Sequence, residues 1–167
     1  YRWTVSGARD IERLEYRAVH LQNGLKIDGE QAEYLVNKAA LEGRDWLSAA
    51  NELETNYVAE IFDDCMHALG QEFKDYRDSQ YRANKDRINS MIDTLQKHSE
   101  NQRQKILERI SHYRNFGTDK QRRMIPAEEG KLKKLSARLD ARIEELRIKE
   151  QPIANQSFVS GGVIKLY

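Results

Sequence analysis

The sequence predicts a mainly α-helical (all-α) chain, a small helical bundle carrying a long antiparallel helical hairpin, with a short β-pair at the termini as an addition. Three observations lead there. Runs 84–116 and 118–150 repeat apolar residues at steps of three and four: Ile88, Ile92, Leu95, Gln102, Ile106, Ile110 and Tyr113, then Leu132, Leu135, Leu139, Ile143 and Leu146. That spacing keeps one narrow stripe of a helix against a partner helix. Between the runs lies only Asn115-Phe116-Gly117-Thr118, too short for anything but a tight reversal, so the simplest object is a coiled-coil arm. The composition agrees: charged residues are 33% of 167, with 2 prolines, 9 glycines and a mean hydropathy of −0.84.

Each element follows from local chemistry. Tyr1-Arg2-Trp3-Thr4-Val5 alternates β-formers and reads as a strand ended by Ser6-Gly7. Ile11, Leu14, Ala18, Leu21 and Leu25 fit a helix of about four turns closed by Asn23-Gly24. Asp28 is the N-cap expected for a second helix through Tyr34, Leu35, Lys38, Ala39 and Leu41 to Gly43. At Asp45-Trp46-Leu47 a third and longer helix restarts, carrying Leu53, Tyr57, Ile61, Met66, Leu69, Phe73, Tyr76 and Tyr81. It is either one helix from about 46 to 115 or two in line with a bend near Gly70 or Ser79, and its aromatics are expected in a core. At the reversal, Gly117 is expected in the left-handed conformation, with Thr118 or Asp119 capping the next helix. Pro126 predicts a break near Met124–Ile125 and a return helix opening on the acidic turn Ala127-Glu128-Glu129. Pro152 stops that helix. The tail switches to β-type residues, and Val163–Tyr167 is expected to pair with Tyr1–Val5 unless either segment pairs with a part of a longer chain. The expected organisation is an acidic subdomain over 1–75, a basic hairpin over 76–150 and an extended tail over 151–167.

The length is one domain's worth, or a small domain plus an arm. No run approaches the ~18 apolar residues of a membrane span and no signal-peptide pattern opens the chain, so no membrane partner is expected. A first residue of Tyr1 rather than Met suggests a piece of a longer chain. The single Cys65 rules out an internal disulfide framework and fits a cytoplasmic, reducing setting. The net charge of +1 hides a split: residues 1–75 hold 8 Lys/Arg against 15 Asp/Glu, whereas residues 76–150 hold 19 against 12. A basic half points to an anionic ligand, or else to a solvated helix surface that happens to be cationic.

Catalytic chemistry finds little support. There is no GxxxxGK[ST] and no GxGxxG to cradle a phosphate. Cys65 and His67 sit in Asp63-Asp64-Cys65-Met66-His67, and Glu60, Asp64 and His67 could share a helix face, but no CxxC or HxxxH completes a ligand set, and no metal or other cofactor is expected. His20, His67, His98 and His112 are scattered, and periodic helices do not form the strained turn of a nucleophile. No catalytic residue is assigned. The suggestive cluster is at the hairpin tip, where Tyr113, Arg114 and Phe116 precede the turn and Lys120, Arg122 and Arg123 come after it. Lys131, Lys133, Lys134 and Arg138 extend the cationic character down the return helix. Cations interleaved with aromatics hold phosphates and stack on exposed bases, so Arg114, Phe116, Lys120, Arg122, Arg123, Lys131, Lys133, Lys134 and Arg138 are the candidate nucleic-acid-binding residues. On the plainer reading Phe116 and Met124 plug the hairpin end and the cations keep it soluble.

From Asp28 onward the chain resembles the helical C-terminal region of bacterial Swi/Snf-type (RapA-like) DEAD/DEAH-box helicases, including large ones of phage-defence systems. The likeness rests on Gly43-Arg44-Asp45-Trp46, on Asn84-Lys85-Asp86-Arg87-Ile88, on Ile125-Pro126-Ala127-Glu128-Glu129-Gly130-Lys131-Leu132-Lys133-Lys134-Leu135 and on the closing Gly161-Gly162-Val163-Ile164. The resemblance implies a non-catalytic accessory domain of a DNA-translocating ATPase, with DNA and the parent's ATP-binding motor core as partners. The alternative is a protein–protein module, with a homodimer among its forms, that binds no nucleic acid.

Overall fold

The structure is a computed structural model, and it describes residues 1–166. It is mainly α-helical, with 65% of the chain in helices and a few short strands. In chain order the elements are strands β1 (Arg2–Ser6), β2 (Ile11–Leu14), β3 (Ala18–Val19) and β4 (Lys26–Ile27), then helices α1 (Gly29–Glu42), α2 (Ala49–Glu52), α3 (Thr55–Phe116), α4 (Asp119–Arg122) and α5 (Ile125–Ile148), and strand β5 (Ile153–Ser157). The chain divides into two compact units. One contains Tyr1–Ser6, Asp10–Gln80 and the described residues from Ile153 on; the other contains Gly7–Arg9 and Tyr81–Pro152.

The first unit is built on a three-stranded antiparallel sheet in the order β2-β1-β5. Trp3 and Val5 lie two residues apart on β1, so the pleat puts both on one face, and both are buried. Opposite them, Gln156 and Ala154 of β5 are the half-buried positions of their strand. Trp3 packs its indole on Phe73 and Tyr76 of α3 at centroid distances of 5.5 and 5.2 Å. Leu69 of α3 and Ala32 of α1 complete the buried set. α1 is capped as its sequence predicts, Asp28 Oδ1 accepting the Gln31 amide at 2.9 Å, and it ends at Gly43. A two-stranded ribbon, β3-β4, is tied to α3 by the Tyr57 hydroxyl donating to the Leu21 carbonyl (3.0 Å) and by Arg17–Glu72 (2.9 Å).

Residues 11–25 therefore form strands and a turn, not the helix expected from Ile11, Leu14, Ala18, Leu21 and Leu25. Leu14 and Leu25 are 51% and 65% exposed, so the three-and-four spacing marks no packed face. Gly24, with φ of 68°, turns the ribbon instead of closing a helix. The partner of β1 at the far end of the chain is Ile153–Ser157 and not Val163–Tyr167, of which Tyr167 lies outside the described residues. Val163–Leu166 has no regular secondary structure. The long helix begins at Thr55 rather than near Trp46, α2 being a separate turn, and it passes Gly70 and Ser79 without interruption.

The second unit is the antiparallel pairing of α3 residues 81–116 with α5. Ile88, Ile106, Ile110 and Leu146 are buried along the seam, while Ile92, Leu95, Tyr113, Leu132, Leu135, Leu139 and Ile143 are half-buried. Gln102, which the periodicity assigns to the same stripe, is exposed and hydrogen-bonded to His98 on its own helix (3.0 Å). Two polar side chains are buried in the seam. Asn84, four residues before Ile88, accepts the Ala8 amide on Oδ1 (2.9 Å) and donates from Nδ2 to the carbonyls of Lys149 (2.8 Å) and Glu150 (3.1 Å). It thereby satisfies carbonyls left open at the end of α5. Glu128, three residues after Ile125, is the other.

Candidate nucleic-acid interface

The tip is shaped by backbone approach and capping. Gly117 is not left-handed: Gly24 is the only described glycine with positive φ. Glycine is needed at 117 for room, since a Cβ there would lie 2.5 Å from the Tyr113 carbonyl oxygen and 2.8 Å from its Cα. Thr118 then caps α4 in a capping box with Gln121, each side chain bonding the other's backbone amide. Arg123 and Met124 interrupt the helix, and α5 restarts at Ile125 with Pro126 in its first turn, where a missing amide hydrogen costs nothing.

Phe116 and Met124 do not plug this end. Phe116 is 80% exposed and Met124 45% exposed, and the Phe116 ring lies 6.0 Å from that of His112. Within the next seven residues Lys120, Arg122 and Arg123 are exposed as well. The tip thus presents an aromatic face and three cations. None of the three, among the described residues, makes an ion pair with a carboxylate.

The other candidate cations divide. Arg114 lies 3.8 Å from Glu129, both more than half exposed, a pairing worth under about 1 kcal/mol in water. Lys131 is more firmly held, its Nζ 2.5 Å from Oε1 of the buried Glu128. Lys131, Lys134 and Arg138 share one face of α5 and line a shallow groove of about 280 Å³ with Gln102, Ile106 and Leu135. Lys133, turned by about 200° from Lys131 around the helix, belongs to the opposite side. The nine residues therefore do not form one patch: the tip and the α5 groove are two cationic surfaces, and Lys133 is a third position. Beside the seam Leu132, Leu135 and Leu139 face Ser99 and Arg103 across a larger groove of about 460 Å³. It opens where α3 places short or polar side chains opposite leucines.

Glu128 lies in the acidic first turn of α5, as its sequence predicts, but its burial was not foreseen. Its side chain is 3% exposed, with Lys131 on one oxygen and Arg109 3.9 Å from the other, and that second oxygen accepts no hydrogen bond among the described residues. The Lys131 hydrogen bond holds its carboxyl below the usual 4.5, and the charge of Arg109 adds to this against the opposing effect of burial. A depressed folded-state pKa stabilises the fold above the ordinary glutamate range and loses that contribution as the pH falls through the depressed value. Glu128→Gln is accordingly expected to melt below the native chain at pH 7, with the two melting temperatures converging as the pH drops below about 4; a gap independent of pH would refute the ion-pair reading. The signal was present in the sequence, since Glu128 sits on the apolar stripe between Ile125 and Leu132.

Elsewhere, Cys65 is half-buried and burial raises its thiol pKa, which disfavours a reactive thiolate. Among the described residues no three His, Cys, Asp or Glu side chains converge as a metal would require, and no helix is long and apolar enough to cross a membrane. No family model, curated protein or solved structure matches the chain.

Proposed function

We propose that the hairpin is a non-catalytic nucleic-acid contact element, with the Gly117 tip as its leading surface, in an accessory domain of a DNA-translocating ATPase. The observation that carries this reading is the 80% exposed Phe116 followed by Lys120, Arg122 and Arg123, three exposed cations without a carboxylate partner among the described residues. An exposed ring beside cations suits a strand whose bases can unstack, with the cations on phosphates and the ring on a base. Lys134 and Arg138 on α5 extend the phosphate track. The assignment to a motor protein rests on the resemblance of Asn84–Ile88 and Ile125–Leu135 to the Swi/Snf-type helicase C-terminal region.

The test is binding to single-stranded and duplex DNA as a function of salt. Replacing Lys120, Arg122 and Arg123 by glutamine is expected to reduce the slope of log K against log[salt] by about 2–3, one phosphate contact per cation at about 0.7–0.9 each. Phe116→Ala is expected to weaken single-strand binding by about 1–3 kcal/mol while leaving the salt slope unchanged. Absence of binding at about 50 mM salt, or a triple variant with an unaltered slope, defeats the proposal. In that event the groove beside Leu132, Leu135 and Leu139 favours the second reading, a protein–protein module, and a concentration-dependent dimer in sedimentation would establish it.

A further inference from the structure

Beyond β5 the tail returns to the residues around α2 through Lys165. Lys165 places its Nζ 2.6 Å from Oε2 of Glu52 and 4.5 Å from the centroid of the Trp46 ring. The other oxygen of Glu52, Oε1, accepts the Trp46 indole N–H at 3.2 Å and a short hydrogen bond from the Ser48 hydroxyl, to which the indole N–H is also directed at 3.1 Å. The carboxylate is therefore oriented by its own neighbours on one side and left to the ammonium on the other. Ser48 precedes α2 in the N-cap position, yet its hydroxyl makes no capping bond; it is committed to Glu52. Pinned through its N–H, the indole turns its face to the cation.

An ordinary surface ion pair needs only two long side chains and gains little from them. Here an aromatic face, a carboxylate fixed by two donors and a compact primary ammonium converge, which is how proteins recognise ammonium groups. Lys165 lowers the Glu52 carboxyl first among its neighbours, followed by Ser48 and Trp46, down to about 2. The seat is open to solvent, with the side chains of Lys165 and Glu52 37% and 43% exposed. Its occupant is carried on a segment that joins no sheet, in which Val163, Ile164 and Leu166 are 36%, 41% and 66% exposed. Nearer the sheet that segment is anchored by Phe158, whose ring meets Tyr1 and Phe62 edge-on at 5.7 and 5.9 Å.

We propose that Trp46, Ser48 and Glu52 form a lysine-recognition site, occupied in cis by Lys165, and that a lysine on a basic segment of another polypeptide takes the same seat when Lys165 leaves it. The acidic balance of residues 1–75 favours approach of such a segment. Arginine is a poorer occupant, because its planar fork is built for two oxygens in line and only one oxygen of Glu52 is left free.

The experiment uses the full chain and follows the Trp46 indole N–H resonance, with that of buried Trp3 as the internal measure of an intact fold. Lys165→Ala vacates the seat without altering its walls. It should move the Trp46 resonance, and titration with the tripeptide acetyl-Gly-Lys-Gly-amide should shift it further to saturation. Half-saturation should come at a concentration at least about tenfold lower than in the native chain, where the tethered lysine competes at high effective concentration. The norleucine tripeptide should produce no shift, and adding Glu52→Gln should abolish the response. An unmoved Trp46 resonance in Lys165→Ala, or equal responses to the lysine and norleucine peptides, would overturn the proposal. Should the Trp3 resonance also move, Glu52→Gln alone decides through Lys165 itself, whose ammonium lies 4.5 Å from the centroid of the Trp46 ring: its side-chain methylene resonances are expected to lose the ring-induced shift, and unchanged Lys165 shifts count against the site.

Discussion

Asn84→Asp is expected to destabilise the second unit by about 3 kcal/mol, a large fraction of what a domain of this size holds in reserve. The substitution preserves shape and removes donors. Asn84 uses all of its polar capacity in one place: Oδ1 on the Ala8 amide and both Nδ2 hydrogens on the carbonyls of Lys149 and Glu150. The introduced carboxylate keeps the first bond but turns a second oxygen toward two carbonyls, at a position only 8% exposed to water. Two lost hydrogen bonds and a buried, repelled charge each cost on the order of 1–3 kcal/mol, partly relieved if the new group takes up a proton. There is no room for relaxation on the other side, because Gly7 sits against Asn84 Oδ1 and Pro152 Cβ, at 2.7 and 2.9 Å from where a Cβ would be. Asn84→Leu adds no charge but orphans all three partners, and it should cost as much, about 3 kcal/mol. Hydrogen exchange of the amides in 81–152 measures both. A loss under about 1 kcal/mol for the aspartate variant would mean that water replaces both lost bonds.

Asn84 also shows how far the sequence could be read. The hairpin was legible because its chemistry is local: steps of three and four, a four-residue connection, threonine at the cap and a proline where a helix can only begin. What local pattern could not distinguish was a polar residue facing out from one serving the seam. Gln102 and Asn84 both fall on the stripe, yet Gln102 bonds His98 on its own helix while Asn84 reaches across to the end of α5. The difference is made by what lies opposite, which is fixed only once the reversal sets the register. Glu128 is the same lesson with a charge: its place on the stripe was visible, its partners Lys131 and Arg109 were half visible, and its burial was not.

The candidate interface divides in the same manner. Cations could be counted along 114–138, but whether each faces a carboxylate depends on the pairing of helices, which commits Lys131 to Glu128 and brings Arg114 near Glu129. The exposure of Phe116 depends on the tight passage of Gly117 over Tyr113, a steric fact that helical periodicity does not contain. In the first unit the failure over residues 11–25 has a different cause. Strand pairing there is non-local, β1 lying between a neighbour close in sequence and another at the far end of the chain, so Ile11–Leu14 is extended because Arg2–Val5 is beside it. Propensity within the segment is overridden by that pairing.

That dependence on one strand makes Trp3 the most costly single truncation, and Trp3→Ala is expected to lower stability by about 3–5 kcal/mol. Trp3 is 3% exposed at the centre of the sheet, between Arg13 of β2 and Gln156 of β5. Its ring is what joins sheet to helix: Phe73 and Tyr76 lie against it, and the Arg13 guanidinium sits 5.6 Å from its centroid and 5.1 Å from that of Tyr76. Removing the indole opens a cavity that two aromatic neighbours on a continuous helix cannot close, and it takes away part of the cation–π contact that holds β2. The loss should appear as faster hydrogen exchange in β1, β2 and β5 together, since each outer strand pairs only with β1. Trp3→Phe separates volume from polarity. The indole N–H has no acceptor among the described residues, and a buried unsatisfied donor costs about 1–3 kcal/mol. Phenylalanine discards that donor while keeping most of the ring, so its penalty should be about 1–2 kcal/mol, well below that of alanine. Leu14→Ala, on the exposed edge of the same sheet, should cost under about 0.5 kcal/mol. If phenylalanine proved as damaging as alanine, the indole nitrogen would have to be making a bond that matters more than the packing of the ring.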